Sequence, residues 1–229
     1  MFENVLNSPF FGLALTAICW CAAVKLQKKT GLLVCNPVLV CAVMIIAVLV
    51  VFDIPLSCYN QGGSVIKMML GPATAVLALN IYQQRRVLGA YFVPVLTGCL
   101  AGSVASMGSV LLLCRLFRVD EMFMASMLPK SVTTAIAVGI AENGGGIPGI
   151  TAAAVVLTGV EGAMLAPFFA KLFKVTDPVA EGVAIGSCSH AIGTSKALEI
   201  GQLQGAMSSI AICVCGIFTS LLALVFTMI

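Results

Sequence analysis

Apolar residues follow one another along this chain in long stretches, unbroken by the two-residue alternation of a half-buried strand or the narrow stripe of a surface helix. Runs free of charged side chains occupy Asn4–Val24, Thr30–Phe52, Val87–Cys114 and Ile200–Ile229. Each is longer than the roughly 20 residues that a helix needs to cross a bilayer. The pattern predicts an all-α polytopic integral membrane protein with about seven to eight membrane segments, two or three of them interrupted or re-entrant.

The interruptions are written in proline, glycine and charge. A first helix is expected over Pro9–Val24, closed by Lys25, Lys28 and Lys29, and a second over Leu32–Phe52, followed by a loop at Asp53, Pro55 and Gly62-Gly63. A third segment, Val65–Tyr82, is broken early at Leu70-Gly71-Pro72. The fourth, Leu88–Cys114, spans roughly 40 Å at ~1.5 Å per residue, so it must tilt or break, and Pro94 with Gly98, Gly102 and Gly108 predicts a kinked, closely packed helix. Met122–Leu128 halts at Pro129-Lys130, and Ser131–Ala141 resumes the pattern. Ile150–Phe173 follows, with Glu161 near its centre. Val179–Ile185 then meets Gly186-Ser187-Cys188-Ser189-His190 and Gly193-Thr194, and Ala206–Ile229 closes the chain. The positive-inside rule places Lys25–Lys29 and Arg85-Arg86 in the cytoplasm and favours Lys171 and Lys174 there too. Meeting all of these requires one segment between Arg86 and Lys171 to be re-entrant or doubled, and Met122–Ala141 is the natural one.

Composition narrows the classes. The chain has 229 residues, 60% hydrophobic and only 9% charged, against about 25% charged in soluble domains, and its mean hydropathy is +1.11. A net charge of +3 spread over short loops offers no patch for nucleic acid. Ten cysteines sit mostly inside apolar runs, as Cys19, Cys21, Cys35, Cys41, Cys99, Cys213 and Cys215 do, and act there as small hydrophobes. No metal-ligand spacing, phosphate loop or dinucleotide fingerprint occurs, so neither metal nor cofactor is expected. The first residues lack a positive n-region, which predicts a retained helix in place of a cleaved signal. An embedded enzyme would have to use Ser189 and His190, which as neighbours on a helix point about 100° apart.

An interrupted helix must enclose the backbone groups it frees, and the amides at the start of the resumed helix carry partial positive charge suited to a carboxylate. Pro129 halts one such piece. Lys130 adds a full charge, and Ser131, Thr133 and Thr134 add hydroxyls. Lys130 is read either as substrate-binding or as neutralising a half-helix end. His190, the one histidine, is read as lining the site or as a satisfied bond between helices, with Gly193 permitting the bend and Thr194 available as a cap. Lys196 and Glu199 can pair at i,i+3, and Glu161 can pair with Lys130 or Lys196 or relay protons. Broken segments at Gly71-Pro72 and Pro129, in corresponding places of two halves 1–118 and 119–229, are what an inverted repeat would leave in the sequence. Two short apolar helices also resemble each other by chance.

The ordered motifs Leu70-Gly71-Pro72-Ala73-Thr74, Pro129-Lys130-Ser131-Val132-Thr133-Thr134 and Ser189-His190-Ala191-Ile192-Gly193-Thr194-Ser195-Lys196-Ala197 resemble those of the LrgB/CidB family over essentially the whole chain. The resemblance implies a single LrgB-like transmembrane domain in a bacterial cytoplasmic membrane, and two functions. One is a carrier of small monocarboxylates such as glycolate, glycerate or pyruvate, the reading that the broken helices favour. The alternative is an antiholin-like protein that modulates murein hydrolase export and lysis. It further implies a small LrgA/CidA-type membrane partner, a homo-oligomer and, by analogy, an elevator-like mechanism.

Overall fold

A computed structural model of the chain describes residues 6, 8–31, 37–69, 72, 75, 79, 82, 83 and 85–226. Among these the regular structure is helical, and the chain divides into two compact units, Met1–Ala73 and Thr74–Ile229.

The first unit holds α1 (Pro9–Thr30), α2 (Pro37–Val51) and α3 (Leu56–Met68). Ser8 caps α1 by accepting the Phe10 amide, Pro9 sits where its missing N–H costs nothing, and Gly31 ends the helix at φ 64°. Gly62, expected in a loop, lies inside α3. A Cβ there would strike the Gly12 Cα at 2.7 Å, so the two glycines let α1 and α3 cross backbone to backbone. Thr16 and Tyr59 bond across the same contact at 3.0 Å. Of the expected break at Gly71-Pro72, Gly71 lies outside the described residues and Pro72 is exposed.

The second unit carries α4 (Arg85–Ala90), α5 (Phe92–Leu116), α6 (Glu121–Met127), α7 (Thr134–Asn143), α8 (Pro148–Leu172), α9 (Pro178–Ile200) and α10 (Gln202–Phe226). The kink expected at Pro94 is instead a break at Tyr91, with φ −118° and ψ 27°. A proline in the first turn of a helix has no N–H to lose, so the stop falls before it. Together with α1, the helices α5, α8 and α10 are long and apolar enough to cross a membrane, and α2 is a shorter apolar helix.

Two hairpins enter the second unit from opposite ends. In the first, α6 descends to Pro129 and α7 returns. Gly146 lies so close to Ser126 that a Cβ would meet its amide nitrogen at 2.8 Å, and Ser126 Oγ accepts the Ile147 amide at 2.7 Å. Thr151 of α8 donates to the Ser126 carbonyl at 2.9 Å. The stretch 121–147 therefore comes back to where it began, and α5 and α8 run antiparallel on either side of it.

The second hairpin is α9, which folds back on itself at His190, whose φ of 39° and ψ of −138° lie outside the helical region. Its first arm runs beside α10 in the same direction: Gly182 abuts Gln204 and Met207, and Gly186 abuts Ser208 and Ala211. Its second arm runs the other way, with Thr194 bonded to Ser208 at 2.7 Å and Gly205 packed on Leu198. The bend was expected at Gly193. That glycine is helical and instead lets the second arm press against Ser189 and Ile185 of the first. The arms, 178–189 and 191–200, are about 18 and 15 Å long, roughly half of a ~30 Å hydrocarbon core.

Arg85, Arg86, Lys171 and Lys174 consequently lie at one end of the unit, with the turn into α9, while Arg115 and Arg118 close the other. The path is compatible with the charge pattern of the sequence, because 121–147 returns to the end it left. Residues 118 and 119 fall inside the second unit, at the α5–α6 turn.

Candidate functional site

The two hairpin tips arrive at the same depth. Ser106 of α5 bonds Ser131 of the first tip at 2.6 Å. One turn earlier, a Cβ on Gly102 would sit 3.2 Å from Ser187 of the second. Between the tips and α8 lies a cavity of about 550 Å³, within the ~300–1,000 Å³ range of ligand pockets.

Helix α8 forms its long wall. Thr158, Glu161, Gly162, Leu165, Ala166, Phe169, Ala170 and Phe173 all face it, a stripe at three- and four-residue steps covering roughly 22 Å. Polarity is graded along that stripe. Thr158 and Glu161 share the inner end with Lys130, Ser131, Ser106, Ser187, Cys188 and Ser189, while Leu165, Phe169, Phe173, Ala184 and Ile185 make the outer part apolar, towards Val175 and Glu181.

Of the residues expected from sequence, Lys130, Ser131 and Glu161 are brought together here. Lys130 is half-buried, immediately after Pro129, in a turn closed by its amide to Met127 O at 3.2 Å and by Val132 N to Pro129 O at 3.3 Å. Glu161 pairs with neither Lys130 nor Lys196. Lys196 holds Glu199 at 2.9 Å on the second arm of α9, and Lys130 and Glu161 carry no ion pair among the described residues. Thr133, Thr134, His190, Gly193 and Thr194 are not among the lining residues. Thr133 precedes α7 in extended geometry without capping it, and its hydroxyl is buried with no partner, like that of Ser103.

His190 holds the second tip in place. Its ring is buried, and Nε2 lies 2.8 Å from the Val155 carbonyl of α8, which makes that nitrogen the donor. Gly159 makes room for the ring and Gly162 for Ser189. Thr194 Oγ1 donates to the His190 carbonyl at 3.0 Å, tying the second arm to the bend.

Sequence reasoning missed Ser106, Ser109 and Glu181 as lining groups. Ser106 and Ser109 stand three apart among the glycines of α5, and that hydroxyl spacing is the one signal that was available. Cys188 is exposed, whereas Cys213 and Cys215 are buried. A small charged methanethiosulfonate should therefore modify the Cys188 peptide well before those of Cys213 and Cys215, as mapped by mass spectrometry. Equal rates would mean that water does not reach the cavity.

Residues 16–229 match the LrgB-like family. Among curated proteins, the chain is 39% identical to uncharacterized protein YxaC of Bacillus subtilis (strain 168) over 90% of both. It is 38% identical to antiholin-like protein LrgB of the same organism, over 96% of this chain and 95% of that one. It is 36% identical to antiholin-like protein LrgB of Bacillus mycoides (strain KBAB4) over 93% of both. No solved structure matches the chain.

Proposed function

The chain belongs to the LrgB-like family, and from that premise we propose that it is an antiholin-like membrane protein, restraining murein hydrolase export and lysis together with a small LrgA/CidA-type partner. The observation that carries this reading is the name antiholin-like on relatives 36–38% identical over more than nine tenths of the chain. Those names back the antiholin-like role better than the monocarboxylate carrier that the broken helices first suggested. The membrane is the bacterial cytoplasmic one, with Arg85, Arg86, Lys171 and Lys174 on the cytoplasmic side. The protein works as a homo-oligomer.

The test is complementation of a bacterium lacking its own LrgB-like protein. Expression should slow lysis after membrane depolarisation several-fold and reduce extracellular murein hydrolase in zymograms. Unchanged lysis from cells in which the protein is inserted overturns the reading.

One observation favours the carrier as a second reading: a cavity that joins two opposed hairpin tips and contains Lys130. Half-helix ends meeting at mid-depth are the usual build of a carrier site. In this reading Lys130 and Ser131 bind the carboxylate of glycolate, glycerate or pyruvate, Thr133 and Thr134 present the start of α7, and His190, Gly193 and Thr194 hold the opposing tip. Glu161 couples transport to protons. Saturable uptake into proteoliposomes, abolished by Lys130→Ala, is the expected result. Its absence from folded protein, both alone and reconstituted with the LrgA/CidA-type partner, excludes the carrier.

A further inference from the structure

The inner end of the cavity holds a cation and an anion that do not meet. Lys130 follows Pro129 at the first tip, and Glu161 stands on α8. Both line the same space, and neither has an ion-pair partner among the described residues. Opposite charges lining one pocket attract, yet Glu161 is exposed and Lys130 half-buried, and the two, carried by different elements, form no ion pair. Ser131, Ser187 and Ser189 line the same cavity. From there outward the stripe on α8 turns apolar at Leu165 and Phe169, faced by Ile185 of the second hairpin. One helical turn, about 5.4 Å, separates the charged end from that apolar wall.

A lone carboxylate satisfies Lys130 and is repelled by Glu161. A cavity of about 550 Å³ also far exceeds what an acid of two or three carbons fills, since a water's share of the liquid is only ~30 Å³. A ligand carrying both charges on one carbon, with an apolar branch a turn long, answers every wall. We propose that the cavity is a binding site for an apolar α-amino acid as its zwitterion, with the carboxylate on Lys130 and Ser131, the ammonium on Glu161 and the side chain against Leu165, Phe169 and Ile185. The proposal shares with the carrier reading the premise that the cavity takes a small ligand with its carboxylate on Lys130 and Ser131, and it names a different substrate class.

The experiment is calorimetric titration of the full chain in lipid nanodiscs with four probes differing by one group, alongside glycolate and pyruvate. L-leucine has all the features, 4-methylpentanoate lacks the ammonium, 3-methylbutylamine lacks the carboxylate, and glycine lacks the apolar branch. L-leucine should bind about tenfold or more tightly than each of the other three, the worth of one charge-assisted contact against 4-methylpentanoate and 3-methylbutylamine and of a buried apolar side chain against glycine. Glu161→Gln should weaken L-leucine by a similar factor while leaving 4-methylpentanoate unchanged or tighter. Lys130→Ala should weaken L-leucine and 4-methylpentanoate alike and spare 3-methylbutylamine. A thermal transition and a single gel-filtration peak show that each variant is folded. Equal affinity for L-leucine and 4-methylpentanoate, or no effect of Glu161→Gln, overturns the proposal. Binding of glycolate or pyruvate without L-leucine overturns it and leaves the carrier reading standing. Binding of no probe by folded protein overturns both.

Discussion

Gly186→Val is expected to unseat the second hairpin and to lower the thermal transition of the chain in detergent by on the order of 5 °C or more. The added Cβ would overlap the Ser208 carbonyl oxygen and lie 2.8 Å from both the Ser208 Cα and the Ala211 Cβ. Two of those atoms are backbone, so no rotamer change relieves the contact, and the whole arm 178–189 must lift away from α10. Overpacking a well-filled site typically costs about 1–3 kcal/mol. Here the loss spreads, because Val179 and Val183 on the same arm pack with Met207 and Ile210 in one buried cluster. Within lipid those contacts replace the hydrophobic effect as the force between helices. Gly108→Ala is the control: a Cβ at that position on α5 meets nothing within 4 Å, so its transition should stay put or rise slightly, as Ala favours helix by about 1 kcal/mol. Equal transitions for Gly186→Val and wild type would show that the first arm does not pack on α10.

His190→Ala should cost about 3–5 kcal/mol in denaturant unfolding, and His190→Gly about 1–3 kcal/mol less than that. The alanine loses the bond from Nε2 to Val155 and leaves space where the ring fills the recess over Gly159, while still holding a positive φ that a Cβ disfavours. Glycine makes the same losses but relaxes the backbone at φ 39°. The difference between the two variants therefore isolates the strain at the tip from the anchoring of its side chain. Alanine matching wild type within 0.5 kcal/mol, an outcome far below the ~1–3 kcal/mol of a lost buried bond, would mean that the histidine anchors nothing.

The break at Pro129 was legible because its cause is local. Proline cannot donate to the preceding turn, and the residues after it must begin a new helix wherever they lie in space. The end of α1 was misplaced: it was expected at Val24, before Lys25, Lys28 and Lys29, whereas the helix carries Lys28 and Lys29 in its last turn and stops at Thr30, before Gly31. Gly62 was misread as a loop residue because a glycine in a helix looks like a loop glycine until its neighbour is known, and that neighbour is Gly12, fifty positions away. Gly193 was misread for the same reason. It was taken for the bend, but the bend fell on His190, where the ring's bond to Val155 and the glycines of α8 outweigh a residue's preference for negative φ. Tyr91 shows the smaller error of assigning a stop to a proline that sits in a first turn.

By itself the sequence determined that this protein is an all-helical membrane protein, that its helical pattern breaks at Pro129 and within Gly186–Thr194, and which family it belongs to. Those properties follow from transfer free energy and from backbone chemistry, each a function of residues close together in the chain. Only the tertiary structure decided that the two stops are hairpins entering from opposite ends, that Lys130 and Glu161 share one cavity without pairing, and that His190 anchors a tip instead of lining the site. The direction in which a broken helix continues costs almost nothing locally. It is set by which distant backbone can be approached, here α10 through Gly182 and Gly186, and α8 through Gly159 and Gly162.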